Sequence, residues 1–227
     1  MPLDVVTIEH GPHPEVLRSE AQAVIFPLSE QDITFIENLK NTFLQLNGVG
    51  LAAPQVGVAK KIIVYGISQK AAFIRKNAKV VPTTVLINPQ YTPTTDAQCV
   101  YDWEGCFSVE KLTGKVPRYD KIHYTAFLTN GNFISEIAEG FTARVLQHEI
   151  DHINGKLITD RLSMDCIQGS PQEMSQLRYS EMTIEQLEHI RKMIKDDSLS
   201  TATNTDRKQA LAATLEMIEA ILAEKSS

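Results

Sequence analysis

The sequence predicts an α+β protein in which antiparallel β-sheets pack around a central helix, with a helical extension at the C-terminus. Three observations support this fold class. The segment "FTARVLQHEIDHI" (141–153) has apolar residues at helical spacing and is followed by Asn154-Gly155, a pair typical of helix C-termini. Several short segments rich in β-branched and aromatic residues precede it. Two amphipathic segments follow it, after a change of character near Leu162.

The elements before the central helix are one helix and several strands. "VVTIEH" (5–10) predicts a short first strand. "SEQDITFIENLKNTFLQLNG" (29–48) predicts a helix with Ser29 as N-cap, Asp32 in the first turn and Gly48 at its end. Its predicted apolar stripe is Ile33, Ile36, Leu39, Phe43 and Leu46. Further predicted strands are "KKIIVYGI" (60–67), "TTVLINP" (83–89), "KIHYTAFL" (121–128) and "NFISEIA" (132–138). Asn130-Gly131 predicts a hairpin turn between the last two.

The chain is expected to divide into a body of residues 1–162 and an extension of residues 163–227. "SMDCIQGSPQEMSQ" (163–176) predicts a loop. Residues 183–197 predict a helix that begins with a capping box of Thr183 and Gln186. The polar stretch 198–205 is interpreted as a linker, and 206–225 predicts a second helix. Each helix has one apolar stripe, which must be buried against the body or against a partner.

The bulk composition is that of a globular protein with a sizeable core, since 43% of its 227 residues are hydrophobic and 22% are charged. The net charge of −6 argues against sequence-specific or mainly electrostatic nucleic-acid binding. The sequence has no apolar run of the roughly 20 residues that would span a membrane, and its start lacks the features of a signal peptide. An odd count of 3 cysteines argues against a disulfide framework, so a reducing, cytoplasmic setting is expected.

"LQHEIDH" (146–152) carries two histidines four residues apart. On a helix His148 and His152 share one face and can bind one ion, while Glu149 lies beside them as a base. Downstream candidates for a third ligand are Glu173, Glu181, Glu185 and His189. Upstream, "WEGCFS" offers Cys106, whose thiolate is a soft ligand for zinc or a transition ion. The structural alternatives are incidental histidines on an exposed helix and a buried free thiol.

"GVGLAAPQ" (48–55) fits the pattern Gly-x-Gly-x-x-Ala of dinucleotide-binding turns, but its context excludes that function. The motif follows a helix and not a strand, Pro54 interrupts the segment that should be the phosphate-binding helix, and no acidic residue lies about 20 positions further on. The remaining interpretation is a glycine-rich turn that lets the backbone approach a ligand and ends in the amide of Gln55.

Together, "GVGLAAPQ", "EGCFS" (104–108) and "HEIDH" (148–152) resemble the three motifs of the peptide deformylase family, in order and at sensible separations. The resemblance spans residues 3–162. It implies a hydrolase that removes the formyl group from the N-terminal formyl-methionine of new polypeptides and releases formate. One departure is Phe107, where the family usually has leucine, which would alter a pocket wall but keep the backbone N–H.

The resemblance also implies the roles of individual residues. The implied metal ligands are Cys106, His148 and His152. Glu149 would be the acid and base, Gln55 and the Phe107 N–H would stabilise the oxyanion, and Gly50 would contact the substrate backbone. The expected metal is Fe²⁺, with Ni²⁺, Co²⁺ or Zn²⁺ as substitutes. The expected partners are N-formyl-methionyl nascent polypeptides, with no membrane, and a ribosome contact is one interpretation of the extension.

Other residues have two interpretations each. Arg144, one turn before His148, is predicted to reach outward to substrate or to a carboxylate, and the alternative is a surface arginine. Arg118 pairs with Glu104 in the family pattern, or is a solvated charge. Val49, Phe107 and Val145 are candidates for a methionine pocket or for ordinary core packing. Two rival functions use the same motifs, a metallopeptidase and a catalytically silent binding protein.

Overall fold

The computed structural model describes residues 2–10, 13–75, 78–198 and 205–226. Contacts between residues divide the chain into two units, Met1–Gly169 and Ser170–Ser227. The first unit therefore includes residues 163–169, which the sequence assigned to the extension. The reason is a short strand, Gln168–Gly169, that pairs with Thr113 and Gly114.

The first unit contains two antiparallel sheets and a central helix, as the sequence predicted. The strands are β1 (Gly50–Ala52), β2 (Ile62–Ile67), β3 (Val81–Pro93), β4 (Cys99–Cys106), β5 (Val109–Tyr119), β6 (Lys121–Phe127), β7 (Phe133–Glu139) and β8 (Gln168–Gly169). The α-helices are α1 (Glu30–Leu46), α2 (Gln69–Phe73) and α3 (Gly140–Ile153). One sheet has the order β1-β2-β3-β6-β7 and the other has the order β4-β5-β8.

Helix α1 begins where the sequence predicted and ends two residues earlier. The Ser29 side chain accepts a hydrogen bond from the Asp32 N–H, and the Asp32 carboxylate accepts one from the Ser29 N–H, which completes a capping box. The prediction that Gly48 ends the helix is wrong, because Asn47 adopts the left-handed conformation there, with φ of 52°. Ile33, predicted in the apolar stripe, is 52% exposed, whereas Ile36 is buried.

The predicted first strand, "VVTIEH", is not a strand. The N–H of Val6 donates to the carbonyl of Gln55, and the N–H of Ile8 donates to the carbonyl of Ser108. Because these bonds reach two different segments, no ladder forms, although Val6 is buried. The predicted hairpin of β6 and β7 is confirmed, and Gly131 supplies the positive φ of 83° in its turn.

Strands β4 and β5 did not follow from the sequence. Exposed residues fill the first three positions of β4 and buried residues come only near its end, so the period-two alternation that indicates a strand is missing. The two strands pair from Cys99–Tyr119 to Cys106–Val109, with a shift of register between Glu104 and Cys106. Such a shift re-aims the side chains at the end of a strand.

Helix α3 is the buried centre of the first unit. Its residues Leu146, Ile150 and Ile153 belong to one core cluster with apolar side chains of β2, β3 and β6. The helix ends at Asn154 as predicted, and Gly155 follows with a φ of 69°. A Cβ atom at Gly155 would also lie 2.8 Å from the Arg18 carbonyl group, so the turn requires glycine for its conformation and for its space.

The second unit contains helices α4 (Pro171–Ser180), α5 (Ile184–Ser198) and α6 (Thr205–Ser226). Helix α4 corrects the predicted loop at 163–176. The start of α4 could have been predicted from the sequence, since Ser170 and Glu173 form a capping box around Pro171 at the first helical position.

The start of α5 confirms the predicted capping box, because Thr183 and Gln186 exchange side chain-to-backbone hydrogen bonds. Helices α5 and α6 contact each other, and both have buried residues: Leu187, Ile190, Ile194, Ile218, Ile221 and Leu222. Most of the predicted linker at 198–205 lies outside the described residues. Among the described helices, none combines the length and the apolar character needed to cross a bilayer.

Candidate metal centre

Helix α3 presents the two histidines of the HExxH motif side by side. His148 and His152 are one turn apart, and their ring centroids are 4.9 Å from each other. Both lie on a helix that the core holds on most sides, and His152 is only 1% exposed. The alternative interpretation, an exposed helix with incidental histidines, is therefore wrong.

Cys106 joins the histidines from the end of β4. Its Sγ lies 3.3 Å from His152 Nε2. One ligand atom from each of Cys106, His148 and His152 lies within 4.8 Å of the others. Among the described residues, these three side chains form the group whose spacing suits a metal site. The candidate third ligand is therefore the upstream cysteine, Cys106.

The chemistry of this group fits a divalent ion. Two imidazoles and one thiolate are the ligands that zinc and late first-row transition ions prefer, and three protein ligands leave a position open. His148 Nδ1 lies 2.9 Å from a carboxylate oxygen of Glu104, so Nδ1 donates there and Nε2 is the nitrogen left to face an ion. The Ser108 N–H donates to the Cys106 Sγ at 3.4 Å and so helps to fix the position of the sulfur.

The two histidines differ in basicity in the protein alone. Burial opposes a charge on His148, but hydrogen bonds with Cys106 and Glu104 outweigh it and raise the pKa of His148 well above its ordinary value. Burial lowers the pKa of His152 well below its ordinary value, and the neighbouring His148 acts in the same direction. The two neighbouring imidazoles therefore titrate as a coupled pair and not as two independent surface histidines.

Glu104 is a buried anion that three positive or donating groups surround. Burial by itself would raise the pKa of Glu104, but Arg118 and His148 lower it far below its ordinary value. Arg118 donates to both carboxylate oxygens of Glu104, at 3.0 Å each, and also pairs with Asp151. The predicted Arg118–Glu104 pair is confirmed, and the solvated alternative is wrong because Arg118 is 3% exposed.

Arg118→Ala should destabilise the protein by about 3–5 kcal/mol, because it leaves Glu104 and Asp151 buried with fewer partners. Urea denaturation measures the change. The matched control is Arg18→Ala, whose pair with Asp160 lies at the surface, with side chains 43% and 41% exposed, and should be worth about 0–1 kcal/mol. Equal losses in the two variants would contradict the structural role of Arg118.

Arg144 is turned into the protein. It is 6% exposed, and its guanidinium donates to Glu104 Oε1 at 2.7 Å, to the Val116 carbonyl at 2.7 Å and to the Val100 carbonyl at 2.6 Å. The predicted contact with a carboxylate is confirmed, because Glu104 is the partner, but the outward direction and the surface alternative are wrong. Its carboxylate partner is a residue of the chain itself. A direct contact with substrate stays a prediction.

Glu149 lies beside the candidate metal ligands, and its carboxylate has hydrogen-bonding capacity that the described residues leave unused. Burial raises the pKa of Glu149 to about 7, and a cation on the adjacent ligands would lower it again. Within the described residues its Oε2 atom is buried and has no hydrogen-bond partner. A buried carboxylate of this kind is suited to exchange a proton with a water or a substrate.

The space that Glu149 occupies depends on Gly50. A Cβ atom at Gly50 would lie 2.5 Å from Glu149 Cδ and 2.6 Å from its Cγ, distances that real contacts do not show. The second glycine of the "GVGLAAPQ" segment is thus needed for the observed position of the Glu149 carboxylate.

Gly50→Ala should lower kcat/KM about 100-fold, because a shift of about 1 Å in a reacting group has an effect of that size. The control is the same change in a Glu149→Ala background, where no base remains to be displaced. A further large loss in the double variant would show that Gly50 acts in some other way, such as binding the substrate backbone.

Gln55 lies next to the cysteine, at the end of the glycine-rich segment. It is 1% exposed, its Oε1 accepts from the Ala52 N–H at 2.8 Å, and its Nε2 donates to Ser108 Oγ at 3.3 Å. The same Nε2 is 3.7 Å from Cys106 Sγ. The amide is therefore held with its N–H group towards the ligands. Phe107, the neighbour of Cys106, is 38% exposed.

A cavity of about 320 Å³ opens beside the ligands. Its wall includes the predicted residues Val49, Gly50, Gln55, Phe107, Arg144, Val145 and Glu149, together with Cys106 and His148. Its size and its apolar side chains suit a small hydrophobic group.

Sequence reasoning missed other residues of the cavity wall. Phe141 lies two turns before His148, so helical periodicity could have placed it on the same face. Trp103 directly precedes the cysteine motif and offered a weaker signal. Arg75 carried none: its guanidinium lies 4.9 Å from the Phe141 ring centroid and donates to the Trp103 carbonyl at 2.8 Å.

Two imidazoles, a thiolate, a buried carboxylate and an adjoining apolar cavity define the class of metal-dependent hydrolases. The sequence profile described as "Polypeptide deformylase" matches residues 5–167. The chain belongs to the polypeptide deformylase family, whose members are metal-dependent enzymes.

The chain is similar to peptide deformylase 2 of Rickettsia conorii, with 45% identity over 150 residues that cover 64% of this chain and 74% of the relative. With peptide deformylase 1 of Nitrosomonas europaea the identity is 42% over 128 residues, which cover 56% and 71% of the two chains.

Solved structures agree with this relationship. A class I type b peptide deformylase from Acinetobacter baumannii, with Met-Ala-Ser bound, has a TM-score of 0.62 at 27% identity and covers 71% of this chain and 99% of its own. The peptide deformylase from Thermotoga maritima has a TM-score of 0.60 at 29% identity, with coverage of 72% and 99%.

Proposed function

We propose that this chain removes the N-formyl group from the N-terminal formyl-methionine of new polypeptides at the centre formed by Cys106, His148 and His152. Family membership supports the reaction, in which water and the formyl amide give formate and a free amine. The observation that carries the site assignment is the meeting of Cys106 with both histidines beside Glu149, at the edge of one apolar cavity.

The donor set would hold one divalent ion, which we propose to be Fe²⁺, with Ni²⁺, Co²⁺ or Zn²⁺ as substitutes. When bound, such an ion supplies Lewis acidity and lowers the pKa of water from about 15.7 towards about 7. Neighbouring residues hold the proposed ligands in the orientation that an ion would need. Glu104 accepts the Nδ1–H of His148, and the Ser108 N–H contacts the thiolate.

Glu149 is the proton carrier of the proposed reaction. Its carboxylate takes a proton from the attacking water and returns it to the amine nitrogen as the bond to the formyl carbon breaks. Burial beside the ligands keeps bulk water from competing for this proton. Gly50 leaves the space in which the carboxylate lies.

Gln55 and the Phe107 N–H are the proposed donors to the formyl oxygen, where negative charge develops during attack. The Gln55 amide is already oriented by its bonds to Ala52 and Ser108, so little reorganisation is needed. A donor of this kind is worth about 3–4 kcal/mol of transition-state stabilisation.

The cavity is the proposed site for the methionine side chain. Val49, Val145, Trp103 and Phe141 offer an apolar wall of the right scale for an unbranched thioether. The Acinetobacter baumannii relative with bound Met-Ala-Ser supports a peptide of this type as the ligand. In this chain Gly50 would allow the peptide backbone to approach β1.

The first test is formate release from a formyl-Met-Ala-Ser peptide by protein loaded anaerobically with iron or nickel. Stoichiometric formate and free amine support the proposal. Acetyl-Met-Ala-Ser and unblocked Met-Ala-Ser are the matched substrates. Cleavage of either one without formate release from the formyl peptide would indicate a different amidohydrolase or a peptidase.

The cellular setting is also a proposal. A substrate that appears on new polypeptides is expected in the cytoplasm, and a contact of the C-terminal extension with the ribosome would bring the enzyme to that substrate. Sedimentation of the full chain with purified ribosomes at several salt concentrations tests this contact.

A further inference from the structure

The ligands of the proposed centre come from two elements that no backbone ladder joins. Cys106 ends β4 in the three-stranded sheet, whereas His148 and His152 lie on α3. A helix and a strand do not share a ladder of backbone hydrogen bonds, so side chains must fix the thiolate relative to the imidazoles. The side-chain contacts between β4 and α3 therefore determine the geometry of the site.

Arg144 makes such contacts between β4 and α3. It lies on α3 and donates to the Val100 carbonyl of β4, to the Val116 carbonyl of β5 and to the carboxylate of Glu104, all at 2.6–2.7 Å. One side chain thus ties the ligand-bearing helix to both strands of the hairpin that carries Cys106. Because the guanidinium is planar and has several fixed donors, it sets an orientation as well as a distance.

The bond to Glu104 links Arg144 to a metal ligand. Glu104 Oε1 accepts from Arg144 and Arg118, and Oε2 accepts from Arg118 and lies 2.9 Å from His148 Nδ1. The carboxylate is held on both oxygens, so the His148 ring has one favoured orientation. Carboxylate contacts of this kind are known to fix the tautomer and the direction of a ligating histidine.

The two arginines do different work. Arg118 divides its donors between Glu104 and Asp151, which lies three residues after His148 on α3. Arg144 lies four residues before His148 and adds the two carbonyl contacts that Arg118 does not make. Together they hold the helix on both sides of His148, and of the two guanidinium groups the one that donates to the carbonyls of Val100 and Val116 in the described bonds is that of Arg144.

We propose that Arg144 is a positioning residue of the metal centre, which fixes Glu104 between β4 and α3 and thereby orients His148 towards the ion. The inference rests on the proposed function, because it concerns the same three ligands. Arg144 would therefore affect the affinity for the metal and the rate of the chemical step, and not the binding of substrate.

The experiment compares Arg144→Met and Arg144→Lys with Arg161→Met. Arg161 is the matched control because it bonds Asp151 in the same ion cluster but contacts neither Glu104 nor a ligand in the described bonds. Three quantities are measured on the full chain: Co²⁺ affinity by chelator competition, the visible absorption of bound Co²⁺, and kcat and KM at saturating metal. Thermal unfolding of the metal-free proteins is recorded in parallel.

Arg144→Met should bind Co²⁺ about 10–100-fold more weakly, with a changed absorption spectrum and a lower kcat at an unchanged KM. The Co²⁺ affinity of Arg144→Lys should lie between those of Arg144→Met and the parent, since lysine restores the charge but not the planar set of guanidinium donors. Arg161→Met should keep the parent's affinity and spectrum. A lower melting temperature with unchanged Co²⁺ affinity and spectrum would overturn the proposal in favour of a purely structural arginine.

A raised KM with normal metal binding would instead overturn the proposal in favour of a substrate contact. If Arg144→Met does not fold, Arg144→Lys alone decides, because affinity and spectrum identical to the parent would overturn the proposal. Parent protein that binds Co²⁺ and releases no formate would refute the proposed function separately, since the Co²⁺ comparison among variants would still be measured.

Discussion

Glu149→Ala should retain its metal and lose turnover by about 100- to 10,000-fold, the usual contribution of a general acid and base. The carboxylate is buried next to His148 without being one of the three clustered ligand atoms, so its removal leaves the donor set intact. Its Oε2 has no partner within the described residues, so few structural contacts disappear with it. Metal content by elemental analysis and single-turnover formate release measure the two effects.

Glu149→Gln is the control for shape. Glutamine keeps the volume of the side chain and one oxygen acceptor but cannot take up the proton, so this variant should be as slow as the alanine variant. Loss of metal from Glu149→Ala would make Glu149 a ligand and would refute the assignment. Turnover at the parent rate in either variant would remove Glu149 from the reaction.

Cys106→Ser should lose both metal and activity. A neutral hydroxyl would replace the sulfur, and the ion would lose one of its three proposed protein ligands. Removing a ligand should weaken binding by more than the roughly 10- to 100-fold that the loss of an outer partner causes. Co²⁺ affinity measured against a chelator, and formate release at the highest attainable metal occupancy, test this expectation.

Cys99→Ser is the matched control, because Cys99 begins the same strand and is exposed. This variant should keep full metal affinity and full activity. Cys166→Ser extends the control to a buried thiol, whose Sγ lies 3.5 Å from Ser163 Oγ. Full metal occupancy in Cys106→Ser would mean that the third ligand is elsewhere.

The local part of the site could be predicted from the sequence. His148, Glu149 and His152 interact through the geometry of a single helix, and the turn that carries Gln55 has its own glycine signature. The helix caps at Ser29 and Thr183 and the hairpin turn at Gly131 depend on neighbouring residues in the same way. Short-range rules suffice where all the partners lie within one turn of the chain.

The long-range part could not be predicted in this way. Arg144 lies on the metal-bearing face of α3, but its partner Glu104 is 40 residues away on a strand that lacks alternation. Its inward direction follows only when the hairpin of β4 and β5 is docked. Arg75 is a comparable case, since its contacts with Trp103 and Phe141 join three segments that no local pattern links. The Arg118–Glu104 pair came from the family resemblance and not from spacing.

The proposed ligands are divided between a hairpin and a helix, so metal binding depends on the tertiary structure being complete. Helix α3 carries two of the proposed ligands and the β4–β5 hairpin carries the third, so neither element alone would bind an ion with full strength before they dock. Helices form in about a microsecond, whereas contacts over 40 residues wait for closure of a long loop. Metal capture is thus coupled to the completed tertiary structure, and a newly made chain becomes competent only when its slowest contacts have formed.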